Sequence, residues 1–350
     1  MKQFLIIPLG GLGKRFKEAG YKTYKPFLKI SKKTRIIDNI INNFPKNTHL
    51  IIIGNEKKFK SILLNIKRKN TTFIKIKNHN SGPIFSLFLA KNKIKKIVKD
   101  NKFFISYSDI NWNWNYKIIK KFVITKKIAV FGHKGFHPHL EVDKKSDFFK
   151  SNYKKELIKV SEKKPISRDY KKDNLAIGCY YFNKFKFIEK FFNSKNFNKN
   201  FLKKEIYIIN LLDFCLNNKI KINFFNLEKF VHLGVPSQYE DFLNWKNILN
   251  KNLEKKLNLN YYSVMLMSGQ GKRVKNLKEK KPFLKIGNKK IYEYIFRKFG
   301  SKKNFIITNN AYANSIKKGY QIFKIEKTKS MLQTIEKSLN FFKNKKNFFI

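Results

Sequence analysis

Apolar runs alternate with helical stripes along the first 110 positions. Lys2 to Leu9 is an almost unbroken apolar run of strand length that ends at glycines, the pattern of a strand buried on both faces of a parallel sheet. From Thr34, the residues Ile36, Ile37, Ile40, Ile41 and Phe44 recur at helical spacing and stop at Pro45. His49 to Ile53 reads as a second strand, and residues 56–67 read as a helix through Phe59, Ile62, Leu63 and Ile66. Thr72 to Ile76 reads as a third strand. A helix from Ser81-Gly82-Pro83 to Ile97 and a fourth strand, Lys102 to Tyr107, complete a β-α-β-α-β-α-β order. That order predicts an α/β fold: a mostly parallel, doubly wound, Rossmann-like sheet with helices on both faces and ligands at its carboxyl edge.

After Asp109 the pattern loosens. Asn111 to Tyr116 leads into a helix ending at Phe122, and Lys127 to Phe131 reads as a strand followed by a loop, Gly132 to His139. Residues 141–155 are polar and read as a mobile turn region. Leu157 to Val160 and Ala176 to Phe182 read as strands, residues 203–217 as an amphipathic helix, and Ile220 to Phe225 and Phe230 to Leu233 as strands. A helix from Gln238 to Leu249 closes this part, and the polar residues 250–260 read as a linker.

At Tyr262 the pattern starts again. Val264 to Val274, with Gly269-Gln270-Gly271-Lys272-Arg273, lines up with Ile6 to Phe16, and Lys281-Pro282-Phe283-Leu284-Lys285-Ile286 repeats Lys25-Pro26-Phe27-Leu28-Lys29-Ile30 letter for letter. Asn347 to Ile350 matches Lys102 to Ile105, just short of the counterpart of Asp109. The expected organisation is one domain over 1–249, a linker at 250–260, and a partial second copy over 261–350, as a truncated gene or incomplete sequence would leave it.

The net charge of +55 raises the question of nucleic-acid binding. Only Arg15, Arg35, Arg68, Arg168, Arg273 and Arg297 among the 78 basic residues are arginines, the usual choice for bidentate phosphate and base contacts. Lysine is spread along the whole chain beside an excess of Asn, Ile and Phe, which points to compositional drift; no specific nucleic acid is expected, but small polyanions are favoured. Two cysteines, Cys179 and Cys215, make no disulfide framework. The apolar start is too short for a signal peptide and no run suits a spanning helix. A soluble, cytoplasmic protein without membrane contact is expected.

The chemistry concentrates in Gly10-Gly11-Leu12-Gly13-Lys14-Arg15. Glycines let backbone N–H groups approach a phosphate closely, and a guanidinium can grip two phosphate oxygens. A short Gly-x-Gly is weak evidence alone, since a plain turn between strand and helix looks the same; it is neither the GxGxxG of dinucleotide binders nor a Walker loop. Three features strengthen it. Lys25-Pro26, ten residues past Arg15, can return a second cation to the loop. Asp109 follows an apolar strand at the carboxyl edge, where a carboxylate can hold Mg²⁺, although a turn or helix cap would also place it there. Ser81-Gly82 opens a helix where a base could lie against bare backbone.

With these residues in order, the first 250 positions resemble the sugar-phosphate nucleotidylyltransferases, whose signature is an apolar strand, G-x-G-x-R-[FLM], and a Lys beside Pro about ten residues on. The resemblance implies that Arg15, Lys25 and Asp109 are catalytic. It implies that Leu9, Gly10, Gly11, Gly13, Lys14, Arg15, Ser81 and Gly82 bind the nucleotide, and that Glu162, Lys163 and Gly178 bind a sugar phosphate. Mg²⁺ is the implied cofactor, on Asp109 and on His232, which stands where many members have a second metal-binding Asp. Gly234-Val235-Pro236 and Trp245 resemble the family's late Gly-x-Pro and downstream Trp. Tyr24 stands where proline is common. His133, His137 and His139 lack the ligand spacing of a zinc site. The implied reaction joins an NTP and a sugar 1-phosphate, giving an NDP-sugar and pyrophosphate, with surface-polysaccharide precursors as the implied context. A non-catalytic nucleotide or sugar-phosphate sensor is the main alternative. A polyanion binder and a glycosyltransferase rank below it, the latter because residues 107–111 carry no D-x-D.

Overall fold

The computed structural model describes residues 2–137, 140, 146–195, 197, 205–250, 262–269, 279–298, 304–342 and 348–349. They form two compact units, Met1–Leu243 and Asn244–Ile350. Most of the expected linker, together with His139 and Gly271-Lys272-Arg273 of the repeat, lies outside the described residues.

Among the described residues, the first unit is built on a nine-stranded sheet. Strands β1 (Phe4–Leu9), β2 (His49–Asn55), β3 (Thr71–Ile76) and β4 (Phe103–Ser106) run parallel in the order β3-β2-β1-β4. The chain lays β1, β2 and β3 outward, then returns through helix α4 (Pro83–Val98) to place β4 on the other side of β1. This reversal is a topological switch point, which opens a crevice at the carboxyl ends of β1 and β4.

Every residue of β1 is buried, and alternate side chains enter two cores. Phe4 and Ile6 face one layer with Ile84, Leu87 and Ile94 of α4; Leu5, Ile7 and Leu9 face the other with Ile36, Ile37 and Ile40 of α2 (Ile36–Asn42). The period-2 pleat sorts an unbroken apolar run onto both faces, so helices must cover both. Short helices α1 (Lys14–Glu18) and α3 (Phe59–Asn65) join the α2 side through Phe16 and Ile62.

Beyond β4 the structure departs from the expected pattern in several places. The ribbon strand β5 (Ile110–Trp112) precedes α5 (Tyr116–Val123) and pairs antiparallel with β11 (Phe230–His232), where only a lead-in to the helix was expected. Strand β6 (Ile128–Lys134) continues through His133 rather than stopping before Gly132. Gly132 permits this, because a Cβ there would lie 2.4 Å from the Leu175 carbonyl oxygen, at the shift in register against β9 (Asn174–Phe182). Part of the polar stretch 141–155 forms a strand rather than a turn, β7 (Phe148–Ser151), because Phe148 and Phe149 are fully buried and outweigh their lysine-rich neighbours. β7 pairs with β8 (Leu157–Ser161) and β9.

Strand β9 is the main topological surprise. It inserts antiparallel between β4 and β6, and β10 (Ile222–Asn226) runs parallel to β6 at the edge. Helix α6 (Lys186–Phe192), legible in Phe187, Ile188, Phe191 and Phe192 but not expected, packs with the helix Ile208–Asn217 on the α4 side.

In the second unit, β12 (Tyr262–Leu266), β15 (Asn304–Thr308), β16 (Gln321–Lys324) and β17 (Phe348–Phe349) run parallel in the order β16-β15-β12-β17. That order matches β3-β2-β1-β4. A small antiparallel pair, β13 (Lys285–Ile286) and β14 (Lys289–Lys290), follows the turn Lys281–Phe283, and the equivalent Lys25–Phe27 is also a 3₁₀ turn. No helix among the described residues is long and apolar enough to cross a membrane.

Candidate active site at the switch point

The crevice at the ends of β1 and β4 is a cleft of about 520 Å³ that takes in the glycine loop, Lys25, Gly82, Tyr107, Asp109 and Tyr207. The loop turns into α1 at Gly13, whose φ of +69° needs glycine. Gly11 faces open space, and Lys14 and Arg15 stand exposed at the rim. The loop carbonyls are held from below. Tyr24 Oη donates to Leu9 O (2.9 Å) and Gly11 O (2.8 Å), and Asn55 Nδ2 donates to Gly10 O (3.1 Å) and Gly11 O (3.3 Å). Gly10 is pressed by its neighbours: a Cβ there would lie 2.1 Å from Ser86 Oγ and 2.9 Å from His79 Nε2.

Lys25 lines the same cleft as the loop, and its Nζ lies 3.0 Å from Asp109 Oδ2. Burial acts to raise the Asp109 carboxyl, but the charge and hydrogen bond of Lys25, helped by His232, outweigh it and hold the carboxyl below its ordinary range. Asp109 is therefore ionised at neutral pH. Asp109 is fixed through its backbone, since its carbonyl accepts from Leu233 N–H at 2.8 Å, and Gly234 passes close to its carboxylate.

His232 is cross-strand from Ile110 on the β5–β11 ribbon, one residue from Asp109 in register. Burial pushes its imidazole down to about 4, against the opposing pull of Asp109, so it is neutral at pH 7. Magnesium prefers oxygen ligands and is commonly held by one or two carboxylates plus substrate phosphates. Asp109 supplies such a carboxylate; the nitrogen of His232 suits magnesium poorly. Asp109 is thus the one oxygen ligand of the expected pair that suits magnesium, it is ion-paired to Lys25, and no group of three or more His, Cys, Asp or Glu gathers among the described residues.

The remaining expected residues divide. Gly82 opens α4 with φ +82°, but its bare side is filled: a Cβ would lie 2.5 Å from Ile206 O, and Ser81 O accepts from Ile206 N–H at 2.9 Å. The returning chain at Ile206 therefore explains why glycine is required at 82, while Gly82 itself still lines the cleft. Gly178 (φ +73°) similarly makes room for the Tyr107 ring, 2.7 Å from a built Cβ, and acts through Tyr107 rather than at the cleft itself.

Glu162 and Lys163 approach from β8. Lys163 Nζ lies 3.1 Å from Tyr207 Oη and 4.3 Å from that ring's centroid, and Asn210 Nδ2 donates to Glu162 at 3.0 Å. Lys163 is held at φ +54° while its N–H donates to Asp147 Oδ1 at 3.2 Å. Burial raises the Asp147 carboxyl to about 6. His133 and His137 tie their segment to backbone carbonyls of Leu227, Phe136 and Phe230, and so serve packing.

Sequence reasoning noted Tyr24 without giving it a role and missed Asn55, His79, Asp147 and Tyr207. The available signals were faint: a polar Asn closing the apolar strand β2, and a tyrosine beside the Lys-Pro.

No protein-family model matches the chain, and no curated protein matches it by sequence. Solved structures do. A nucleoside-diphosphate-sugar pyrophosphorylase from Vibrio cholerae RC9 is 19% identical, with a TM-score of 0.56 over 69% of this chain and 99% of its own. The inositol-1-phosphate CTP transferase of T. maritima is 14% identical, with a TM-score of 0.53 over 70% of this chain and 96% of its own. A UTP-bound UGPase from Acinetobacter baumannii is 13% identical, with a TM-score of 0.53 over 72% of this chain and 95% of its own. The likeness establishes a shared fold: this chain carries the mixed α/β architecture of those structures.

Proposed function

We propose that the first unit is a sugar-phosphate nucleotidylyltransferase, which transfers NMP from an NTP to a sugar 1-phosphate and releases pyrophosphate. The observation that carries this reading is the convergence of the glycine loop, Lys25 and Asp109 on one cleft at the switch point, with Lys25 and Asp109 3.0 Å apart. In the reaction, a sugar-phosphate oxygen attacks the α-phosphorus in line. The bond to the oxygen bridging to the β-phosphate breaks, and that oxygen keeps the electron pair as pyrophosphate leaves.

No protein nucleophile is required; positioning and charge neutralisation supply the rate. The loop N–H groups and Arg15 hold the β- and γ-phosphates and so stabilise the leaving pyrophosphate. Lys25, already within the cleft, moves its charge to the α-phosphate. Lys163, backed by Tyr207 and Glu162, receives the incoming phosphate. A magnesium ion on Asp109 would neutralise phosphate oxygens when bound.

Pyrophosphate release on mixing NTPs, sugar 1-phosphates and Mg²⁺ tests the reading. Asp109→Ala and Lys25→Ala are each expected to lower turnover by about 10²-fold or more. Wild-type rates in either variant would sink the mechanism. The sensor reading draws on His232 standing in place of a carboxylate; it predicts nucleotide binding with no pyrophosphate release. The second unit, with its matching strand order and Lys-Pro-Phe turn, is proposed as a partial second copy, and surface-polysaccharide precursor synthesis as the context of the pair.

A further inference from the structure

We infer that Tyr24 is a positioning residue that sets the phosphate cradle and couples it to Lys25. This rests on the proposed reading of the loop. A phenol has one proton, and Tyr24 shares it between the carbonyls of Leu9 and Gly11, at 2.9 and 2.8 Å. Asn55 holds Gly10 O and also reaches Gly11 O, the carbonyl that Tyr24 holds, so the two donors sit side by side.

In a trans peptide the carbonyl and the following N–H point in opposite directions. Fixing the carbonyls of Leu9, Gly10 and Gly11 therefore turns the N–H groups of Gly10, Gly11 and Leu12 away from Tyr24 and Asn55. Three donors with one orientation make an anion-binding concavity. Without the clamp, these glycine peptides would be free to flip and present carbonyl oxygens to the phosphates, because glycine restrains φ and ψ so little.

The same residue anchors the catalytic lysine. Tyr24 O accepts from Phe27 N–H at 2.8 Å and so closes the turn that presents Lys25 to Asp109. The ring packs edge-on to Phe27 with centroids 5.8 Å apart and lies 3.6 Å from the Cβ position of Gly13. One side chain thus touches both ends of the cradle and adjoins its cation. A proline here, common in the family the chain resembles, would leave the carbonyls of Leu9 and Gly11 without this donor. Burial also pushes the Tyr24 phenol above its ordinary range, which keeps the shared proton in place.

Tyr24→Phe removes the donor and keeps the ring. Inorganic tripolyphosphate, which has no base or sugar, probes the cradle alone by calorimetry on the full chain. Tyr24→Phe is expected to bind it about tenfold more weakly with little change in Tm, a split that a merely structural role would not produce. Asn55→Ala, which removes the other half of the clamp, is expected to act in the same direction, and this second variant keeps the test open should Tyr24→Phe fold poorly. Equal affinity in wild type and Tyr24→Phe, or a loss that only tracks a fall in Tm, would overturn the role of Tyr24. A wild type that binds no tripolyphosphate would overturn the cradle reading itself.

Discussion

Replacing Gly82 by alanine tests whether the returning chain at Ile206, rather than an open ligand surface, dictates glycine at that site. Gly82 has φ +82° and ψ 175°, a region that is essentially restricted to glycine and costs another residue about 1–3 kcal/mol. The new Cβ would also meet Ile206 O at 2.5 Å, N at 2.9 Å and C at 3.1 Å, all backbone atoms that no rotamer change can move. Forcing that contact adds about 1–3 kcal/mol of overpacking. The chain could instead retreat. It would then lose the bonds from Ile206 N–H to Ser81 O and from Ile84 N–H to Ile206 O, at about 1 kcal/mol each. It would also expose Ile206, 1% accessible in the native state, at about 2 kcal/mol. With the backbone strain included, the two routes cost about 4–6 kcal/mol, a large share of the roughly 5–15 kcal/mol that holds a typical domain. Urea unfolding of the full chain followed by Trp fluorescence, with Trp112 and Trp114 in the first unit, should show the midpoint falling by about 1–2 M. Gly11→Ala is the control: its Cβ meets nothing within 4 Å, so stability should hold within about 0.5 kcal/mol. An unchanged midpoint for Gly82→Ala, or an equal fall for Gly11→Ala, would refute the argument.

Two further outcomes concern titratable groups. Asp147 has a folded-state value of about 6, above its unfolded value near 3.8, so the folded chain retains a proton that the unfolded chain releases between those values. That contribution is fully present below the unfolded value and is lost as pH rises through 6. Asp147→Asn removes this dependence and can still accept from Lys163 N–H. Its stability advantage over wild type should therefore grow from near zero at pH 4 to at most about 3 kcal/mol at pH 7; a difference constant with pH would contradict the burial of that carboxyl. Cys179 and Cys215 are free and buried, and burial pushes Cys215 up to about 12 and Cys179 well above the ordinary thiol range. Neither should react with a thiol reagent at pH 8 until the chain unfolds; rapid labelling of the native protein would contradict this.

Several parts of the site could be read without coordinates because each depends on local chemistry. The apolar run ending at Gly10-Gly11 had to be a strand leading to a turn, Gly13 had to permit a left-handed backbone, and Lys25-Pro26 had to start a turn of its own. The Lys25–Asp109 pairing spans 84 positions, yet the strand order brought both residues to one edge. What escaped had no local signature. Phe148 and Phe149 looked solvated among lysines until β8 and β9 flanked them. Why glycine is needed at 82 and 178 could not be read locally, because the neighbours that demand it, Ile206 and Tyr107, lie far away in sequence.

By itself the sequence determined the repeating order of strands and helices, the two-faced burial of β1 and the identity of the loop that meets the cleft. These follow from periodicity and from the narrow backbone preferences of glycine and proline, both written over a few residues. Tertiary structure alone decided that β9 enters antiparallel beside β4, that Tyr24 and Asn55 grip the loop carbonyls, and that Asp109 stays ionised beside a neutral His232. Those features depend on which distant groups share a buried space, because desolvation and hydrogen bonding act on the packed neighbourhood rather than on the order of residues along the chain.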